Sequence, residues 1–567
     1  MIVKIGYVTG SSEASPYEFY VRLKSEINKP PDVMVRIGDI VKVDFEYSNF
    51  GKITIYGMVT KILNTWDVPM KGFEEIIAIE KGVKPKLSSF IAKVVTTRII
   101  SNRGDMNPPD VPPIPGGIVH LVRDDEVDIA LGFDSFSDRM LPVGLLENDA
   151  TAFLDLSYIL GENGAHINIS GQSGVASKTS YTTFLMRSII DNIKRSERYR
   201  HLKPIFIVFN VKGDSLMFID HYSRRWIESE DTDMGKEWRR MYERLGVSPQ
   251  PFENVEFYAV SKSEFIGQGV ESLRVDAKPY SWDTADFFDL GLFEMIFDPQ
   301  ELERNSNLML AVISIMEYMN ADDTFSSHEK MRRRSKISNP YELLEELKED
   351  NDLYILLKSL GIGASTIKLL KRRLQLALNI GLGKIWKKDG NKIEWNRPGG
   401  ITVIDISRLR TKMQSIVVGA VIKDVMREKE KGMLSNSPVF IVLDELNKYA
   451  PRDERSEIAS IFRDVSERGR SFGVILMGAE QTASEVDYRV ITQAATVVVG
   501  RQKWVELSKS EYGHLLDEQK RKAATLTQGS VIVDQPFMRL PITVRFPFPA
   551  WALNENDYYI DDEEILI

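Results

Sequence analysis

Apolar residues recur along this chain in two different rhythms. Over the first hundred residues they form short runs with partial alternation: 1–8 (MIVKIGYV), 40–46 (IVKVDFE), 52–59 (KITIYGMV) and 90–97 (FIAKVVTT). These runs are rich in Val and Ile, are separated by turn-forming residues and lack long helical periodicity, which predicts a small β-barrel over 1–105. The segment 107–117 (NPPDVPPIPGG) holds five prolines. It can continue neither a helix nor a central strand, so 106–117 reads as a stiff connector.

Beyond the connector the rhythm changes. Nearly continuous apolar runs alternate with longer helical stretches: 166–170 (HINIS), 204–209 (PIFIVF), 255–260 (VEFYAV), 401–406 (ITVIDI), 439–443 (VFIVL), 473–477 (GVILM) and 495–499 (ATVVV). That alternation predicts an α/β fold with a parallel-rich sheet covered on both faces. Its two parts fall at 118–320 and 396–545, separated by an inserted helical subdomain at 321–395. Within 325–390 there are 14 Lys+Arg against 8 Asp+Glu, a local net of +6. A solvated helical face and a DNA- or partner-facing surface both fit that excess, and 332–334 and 371–373 are its densest clusters. The end, 546–567, is an acidic tail with an apolar tip, open to docking on a neighbour or to disorder.

Composition narrows the chemistry. The 567 residues carry 73 Lys+Arg and 82 Asp+Glu, a net charge of −9, so any nucleic-acid contact must come from a local basic surface. The absence of cysteine excludes disulfide frameworks, thiolate metal sites and cysteine nucleophiles. No stretch reaches about 18 apolar residues and the start is not a secretory signal, so the expectation is a cytoplasmic protein that makes no use of a membrane.

The densest chemistry follows the HINIS run. The segment 171–180 reads GQSGVASKTS and opens a helical stretch, YTTFLMRSIIDNI. A glycine-bearing turn from strand to helix points backbone N–H groups at a phosphate, and the helix dipole favours an anion there. The candidate nucleotide-binding residues are Gly171, Ser173, Gly174, Val175, Ala176, Ser177, Lys178, Thr179 and Ser180. Lys178 is placed to reach the β- and γ-phosphates, and Thr179 to offer its hydroxyl to Mg²⁺. The spacing departs from a strict phosphate-loop pattern: Gly171 lies seven positions before Lys178, and Ser177 replaces the glycine before the lysine.

The second element is 438–445, PVFIVLDE, a buried strand ending in two carboxylates. Open parallel sheets bind ligands beyond the C-terminal ends of their strands. Asp444 is the candidate Mg²⁺ residue, and Glu445 the candidate that orients and deprotonates an attacking water. A third element, 461–481 (IFRDVSERGRSFGVILMGAEQ), reads as helix, turn and strand, ending at Gln481, a candidate γ-phosphate sensor. Arg468 and Arg470, expected in the turn, are candidates to reach the nucleotide of an adjacent subunit.

With these motifs in place the chain resembles the HerA branch of the HerA/FtsK superfamily of ring ATPases. The matching segments are IGYVTGSSEASPYEF near the start, PIPGG, GQSGVASKTS, FNVKGD (209–214), LDELNKYAP (443–451), RGRSFGV (468–474) and GAEQTASEVD (478–487). The resemblance implies a RecA-like core, an N-terminal barrel like that of ATP-synthase subunits and a C-terminal strap. It also implies a homohexamer with ATP and Mg²⁺ between subunits and double-stranded DNA in a central channel. A nuclease, or a sirtuin-like effector that consumes NAD, is the implied partner, and the form of the phosphate loop favours the bacterial antiviral-defence relatives. Two departures stand out: Asn210 where the family often has an acidic residue, and Asn447 where relatives often have histidine. A slow-turnover scaffold that binds ATP and activates an effector is the alternative the odd loop leaves open.

Overall fold

The computed structural model describes all residues except 1–2, 11–13, 26–29, 67–80, 82–87, 124–125, 173–177, 214, 264–268, 321–332, 436, 454–455 and 560–567. It divides into two compact units. The first comprises Met1–Leu156, Arg240–Val247 and Thr496–Pro547, and the second Ser157–Arg239, Ser248–Ala495 and Phe548–Ile567.

The first unit opens with the barrel. Its strands are β1 (Val3–Val8), β2 (Glu18–Leu23), β3 (Ile40–Tyr47), β4 (Gly51–Trp66), β5 (Ser88–Ser101), β6 (Gly104–Asp105) and β7 (Ile118–Leu121). Their order is β2-β1-β7-β3-β4-β5-β6, and a further β2–β5 pairing closes the ring. Closure removes the edges that an open sheet would expose. The interior is filled by Ile5, Phe19, Val21, Val41, Val43, Ile53, Ile55 and Val94, as the period-2 pattern requires. One expectation is corrected here. The barrel does not end at 105, because β7, beyond the proline-rich connector, pairs with both β1 and β3 and supplies the closing stave.

The same unit contains β8 (Met140–Leu145), β9 (Thr151–Asp155), β18 (Ser530–Asp534), β19 (Ile542–Arg545) and, from Thr496 on, β17 (Ala494–Val499), antiparallel in the order β17-β18-β19-β8-β9. Residues 118–156 and 496–547 thus group with the barrel rather than with the second unit.

The second unit is built on β10 (Ala165–Ser170), β11 (Ile205–Asn210), β12 (Val255–Ala259), β13 (Lys278–Pro279), β14 (Ile401–Asp405), β15 (Val439–Asp444) and β16 (Val474–Glu480). These strands run parallel in the order β13-β12-β14-β11-β15-β16-β10. β10, β11 and β14 are buried at every position, the signature of a sheet covered on both faces. The helical insertion lies between β13 and β14 and is longer than 321–395. It already includes the helices Thr284–Asp289, Pro299–Arg304 and Ser306–Asn320, which share a core with Ala364–Asn379.

Three residues of the insertion's basic clusters have partners within the chain. Arg334 pairs with Asp289, Arg373 with Glu301, and Arg333 lies over the Tyr318 ring. Arg332 lies outside the described residues. Arg334 and Arg373 thus also tie helices of the insertion together.

The C-terminal segment forms a strap on the second unit. Ala552 and Tyr559 N–H groups donate to the carbonyls of His221 and Tyr222, both at 2.9 Å. Trp551 is fully buried, with its ring edge-on to Phe252 at 4.9 Å, and Tyr558 stacks on Phe218 at 4.9 Å. Among the described residues, no helix is long and apolar enough to cross a membrane.

Candidate functional site

The strand order decides where the candidate residues meet. β16 lies between β10 and β15, and the registers set Ser170 beside Glu480 and Ala479 beside Asp444. Gly171, Gln481 and Glu445 each follow directly on these strand ends. All three elements singled out in the sequence therefore open on one C-terminal edge of a parallel sheet, where open α/β folds bind ligands.

Lys178 is the first residue of the helix Lys178–Arg195. The helix forms because Tyr181, Leu185, Ile189 and Ile193 recur at four-residue spacing on a buried face. Its first turn carries no acidic residue, while Lys194 and Arg195 complement the dipole at the other end. The N-terminus thus keeps its full attraction for an anion. Thr179 and Ser180 stand in that first turn, and their carbonyls accept from the Thr183 hydroxyl at 2.9 and 3.1 Å. Gly171 is buried, and its N–H donates to the Glu480 carbonyl at 3.0 Å, fixing where the loop leaves β10. Ser173, Gly174, Val175, Ala176 and Ser177 lie outside the described residues.

The Lys178 ammonium is 3.5 Å from an Asp444 carboxylate oxygen. The lysine side chain is 7% exposed and the aspartate 26%. The turn after β10 and the acidic end of β15 therefore share one place despite the irregular loop spacing. Glu445 is buried and has φ 60°, a backbone conformation sparsely used by residues other than glycine. Its N–H donates to Asp444 at 2.8 Å, and it starts the short helix Leu446–Tyr449. The Leu446 side chain covers Gly478 of β16, where an added Cβ would lie 2.5 Å from it.

Three residues without an assigned role in the sequence complete the arrangement. Lys212 and Lys448 both form ion pairs with Glu445. Burial pushes the Lys212 ammonium below the ordinary lysine range; Asp444 pulls it back up, and Lys448 and Lys178 push it down further. Lys212 is set by Asn210, whose amide donates to the Gly213 carbonyl at 2.8 Å and to Asp405 at 3.1 Å. Asn210 thus serves the turn after β11, where an acidic residue was the family expectation. A lysine two positions past a buried parallel strand was the available signal for Lys212, since it points at the same sheet edge. Asn447 faces away, donating to Glu485 at 3.3 Å.

The two arginines are placed differently from expectation. Both lie within the helix Glu457–Phe472, Arg470 in its last turn, and not in the turn after it, because Gly473 at φ 67° ends the helix only there. Arg470 donates to the carbonyls of Gly161 and Glu162 at 3.0 and 2.7 Å. Arg468 is about half exposed and pairs with Glu430 and Asp464 at 3.1 and 3.2 Å.

The residues present fit a magnesium-bound nucleoside triphosphate. Thr179 and Asp444 offer hard oxygen donors of the kind Mg²⁺ prefers. A buried lysine at an uncompensated helix N-terminus offers the charge a phosphate needs. Among the described residues, no group of three or more His, Cys, Asp or Glu is placed to hold a metal ion by itself.

No protein-family model matches the chain. One curated relative is the DNA double-strand break repair helicase HerA of Pyrococcus furiosus, 23% identical over 184 residues, covering 26% of this chain and 33% of that protein. The match thus spans about a third of that relative's length. Among solved structures, the bacterial conjugative coupling protein TrwB, lacking its N-terminal 70 residues, aligns with 11% identity and a TM-score of 0.47, covering 78% of this chain and 95% of that one. VirB4 of Thermoanaerobacter pseudethanolicus aligns with 13% identity and a TM-score of 0.42, covering 75% and 98%. With β16 inserted between β10 and β15, and with Lys178 meeting Asp444, the chain shows the strand order and motif placement that its resemblance to the HerA/FtsK superfamily of P-loop ATPases implies.

Proposed function

We propose that this chain binds and hydrolyses ATP with Mg²⁺ as a subunit of a homohexameric, HerA-type ring. The observation that carries the reading is the 3.5 Å approach of Lys178 to Asp444 at the sheet edge. The helix N-terminus and Lys178 bind and orient the phosphates. Thr179 and Asp444 hold the Mg²⁺, which when bound supplies charge neutralisation for the leaving phosphates. Glu445 orients the attacking water and takes its proton, and Gln481 follows the state of the terminal phosphate. Arg468, exposed on its helix, suits action on a neighbouring subunit better than Arg470, which is held by two carbonyls of its own chain.

In the motor version the ring moves double-stranded DNA and works with a nuclease or a sirtuin-like effector, in bacterial antiviral defence. The HerA relative is a DNA repair helicase by its description, which supports the DNA part of this reading. A slow-turnover scaffold is the second reading, favoured by one observation: Glu445 is engaged by two lysines rather than free for water. Steady-state ATP hydrolysis by the wild type and by Glu445→Gln, with and without duplex DNA, separates the two. The motor reading expects DNA to raise wild-type turnover and Glu445→Gln to lower it at least 100-fold. Turnover that is slow, indifferent to DNA and little changed by Glu445→Gln would leave the scaffold.

A further inference from the structure

Glu445 is 3% exposed and yet carries two ammonium partners. A buried carboxylate flanked by two ammonium groups is stabilised as an anion, and those groups stand where an attacking water would have to approach it. The two lysines differ in what holds them. Lys448 lies one helical turn beyond Glu445 on the same short helix, and its N–H donates to the Glu445 carbonyl at 2.9 Å. It moves with the carboxylate. Lys212 arrives from another element, the turn after β11.

That turn is fixed at its backbone and loose at its tip. Asn210 is fully buried and tied to Gly213 and Asp405. The Lys212 side chain is 50% exposed, and its flexible four-carbon stem ends in a point charge that can be redirected. Its ammonium already feels Asp444 and Lys178, so it stands within electrostatic range of the place where phosphates would lie.

We propose that Lys212 is a triphosphate-sensing positioning residue: it holds Glu445 in an idle ion pair and transfers to the terminal phosphate of a bound nucleoside triphosphate, which frees Glu445. The inference rests on the nucleotide-binding reading above. A diphosphate lacks the group that would draw Lys212 away. A ligand shifts such an equilibrium only by its differential affinity for the two states, so the triphosphate must do work against the Lys212–Glu445 pair. Removing Glu445's charge removes that work, and the benefit requires Lys212.

A double-mutant cycle on the full chain tests this, with binding as the readout. The dissociation constants of Mg²⁺ with a non-hydrolysable ATP analogue, and of Mg²⁺ with ADP, are measured for the wild type, Glu445→Gln, Lys212→Gln and the double variant. The expectation is that Glu445→Gln tightens the analogue about 3- to 10-fold when Lys212 is present and not when it is absent. ADP affinity stays within about twofold throughout. Lys212→Arg, which keeps the charge, should retain the tightening, and this arm also covers a Lys212→Gln variant that fails to fold. Tightening of equal size with and without Lys212, or equal for ADP and the analogue, would overturn the sensing role while leaving the nucleotide site intact. Wild-type protein that takes up neither nucleotide would overturn the site itself, and the sensing role with it.

Discussion

His166, the second residue of β10, has φ 66° and is 3% exposed, with both ring nitrogens engaged. Nε2–H donates to the Ser466 carbonyl at 3.1 Å, and Nδ1 accepts from the Leu476 N–H at 2.9 Å. That pairing requires the neutral ring, and burial lowers its pKa to about 4. The folded value lies below the unfolded one of about 6.5, so the folded protein binds fewer protons in this window. Its contribution to stability is present above pH 6.5 and is lost as the pH falls towards 4. The difference is worth roughly 3 kcal/mol. Thermal unfolding should show a melting temperature that drops from pH 7.5 to pH 5, with a shallower drop in His166→Gln. Equal slopes in the two proteins would contradict this assignment. Residues of this kind were invisible in the sequence, because both partners lie about 300 positions away. Lys178, Asp444 and Glu445 were legible because their chemistry is written at the ends of apolar runs. Lys212 stood in a quoted motif, but its partner is set by strand order, which no local spacing reveals.

At the level of elements, β16 couples the phosphate-loop strand to the acidic strand. Its Gly478 leaves room for Leu446, the residue after Glu445. Gly478→Ala would force the Leu446 side chain aside and disturb the turn that carries Glu445 and Lys448. Overpacking of this kind costs about 1–3 kcal/mol. The expected result is a lower melting temperature with turnover reduced more than nucleotide affinity. Unchanged turnover at wild-type stability would show that Leu446 does not brace the turn. The buried parallel strands were legible because they read as unbroken apolar runs. β8 was not, since its sequence MLPVGL contains both proline and glycine. β7 was missed because a proline-rich connector precedes it, and the connector proved to interrupt the barrel rather than to follow it. The end of the helix Glu457–Phe472 was misplaced because Gly469 looked like its terminator. Gly473 ends the helix instead, and Gly469 sits where an added Cβ would meet the Val474 carbonyl at 2.7 Å.

At the scale of the molecule, an arginine acting in trans requires a ring of subunits. The barrel and the parallel sheet belong to different compact units, and each has its own apolar interior. Native mass spectrometry should find a species about six times the 64.6 kDa of one chain. A single species at the mass of one chain, with or without nucleotide, would exclude action in trans by Arg468. The most direct test of the central claim is equilibrium titration of the purified protein with Mg²⁺ and a non-hydrolysable ATP analogue, comparing the wild type with Lys178→Ala. Saturable uptake by the wild type, weakened about 10- to 100-fold or more in the variant, is the predicted result. No uptake by the wild type, or equal uptake by both proteins, would contradict the claim that Lys178 and Asp444 frame a triphosphate site.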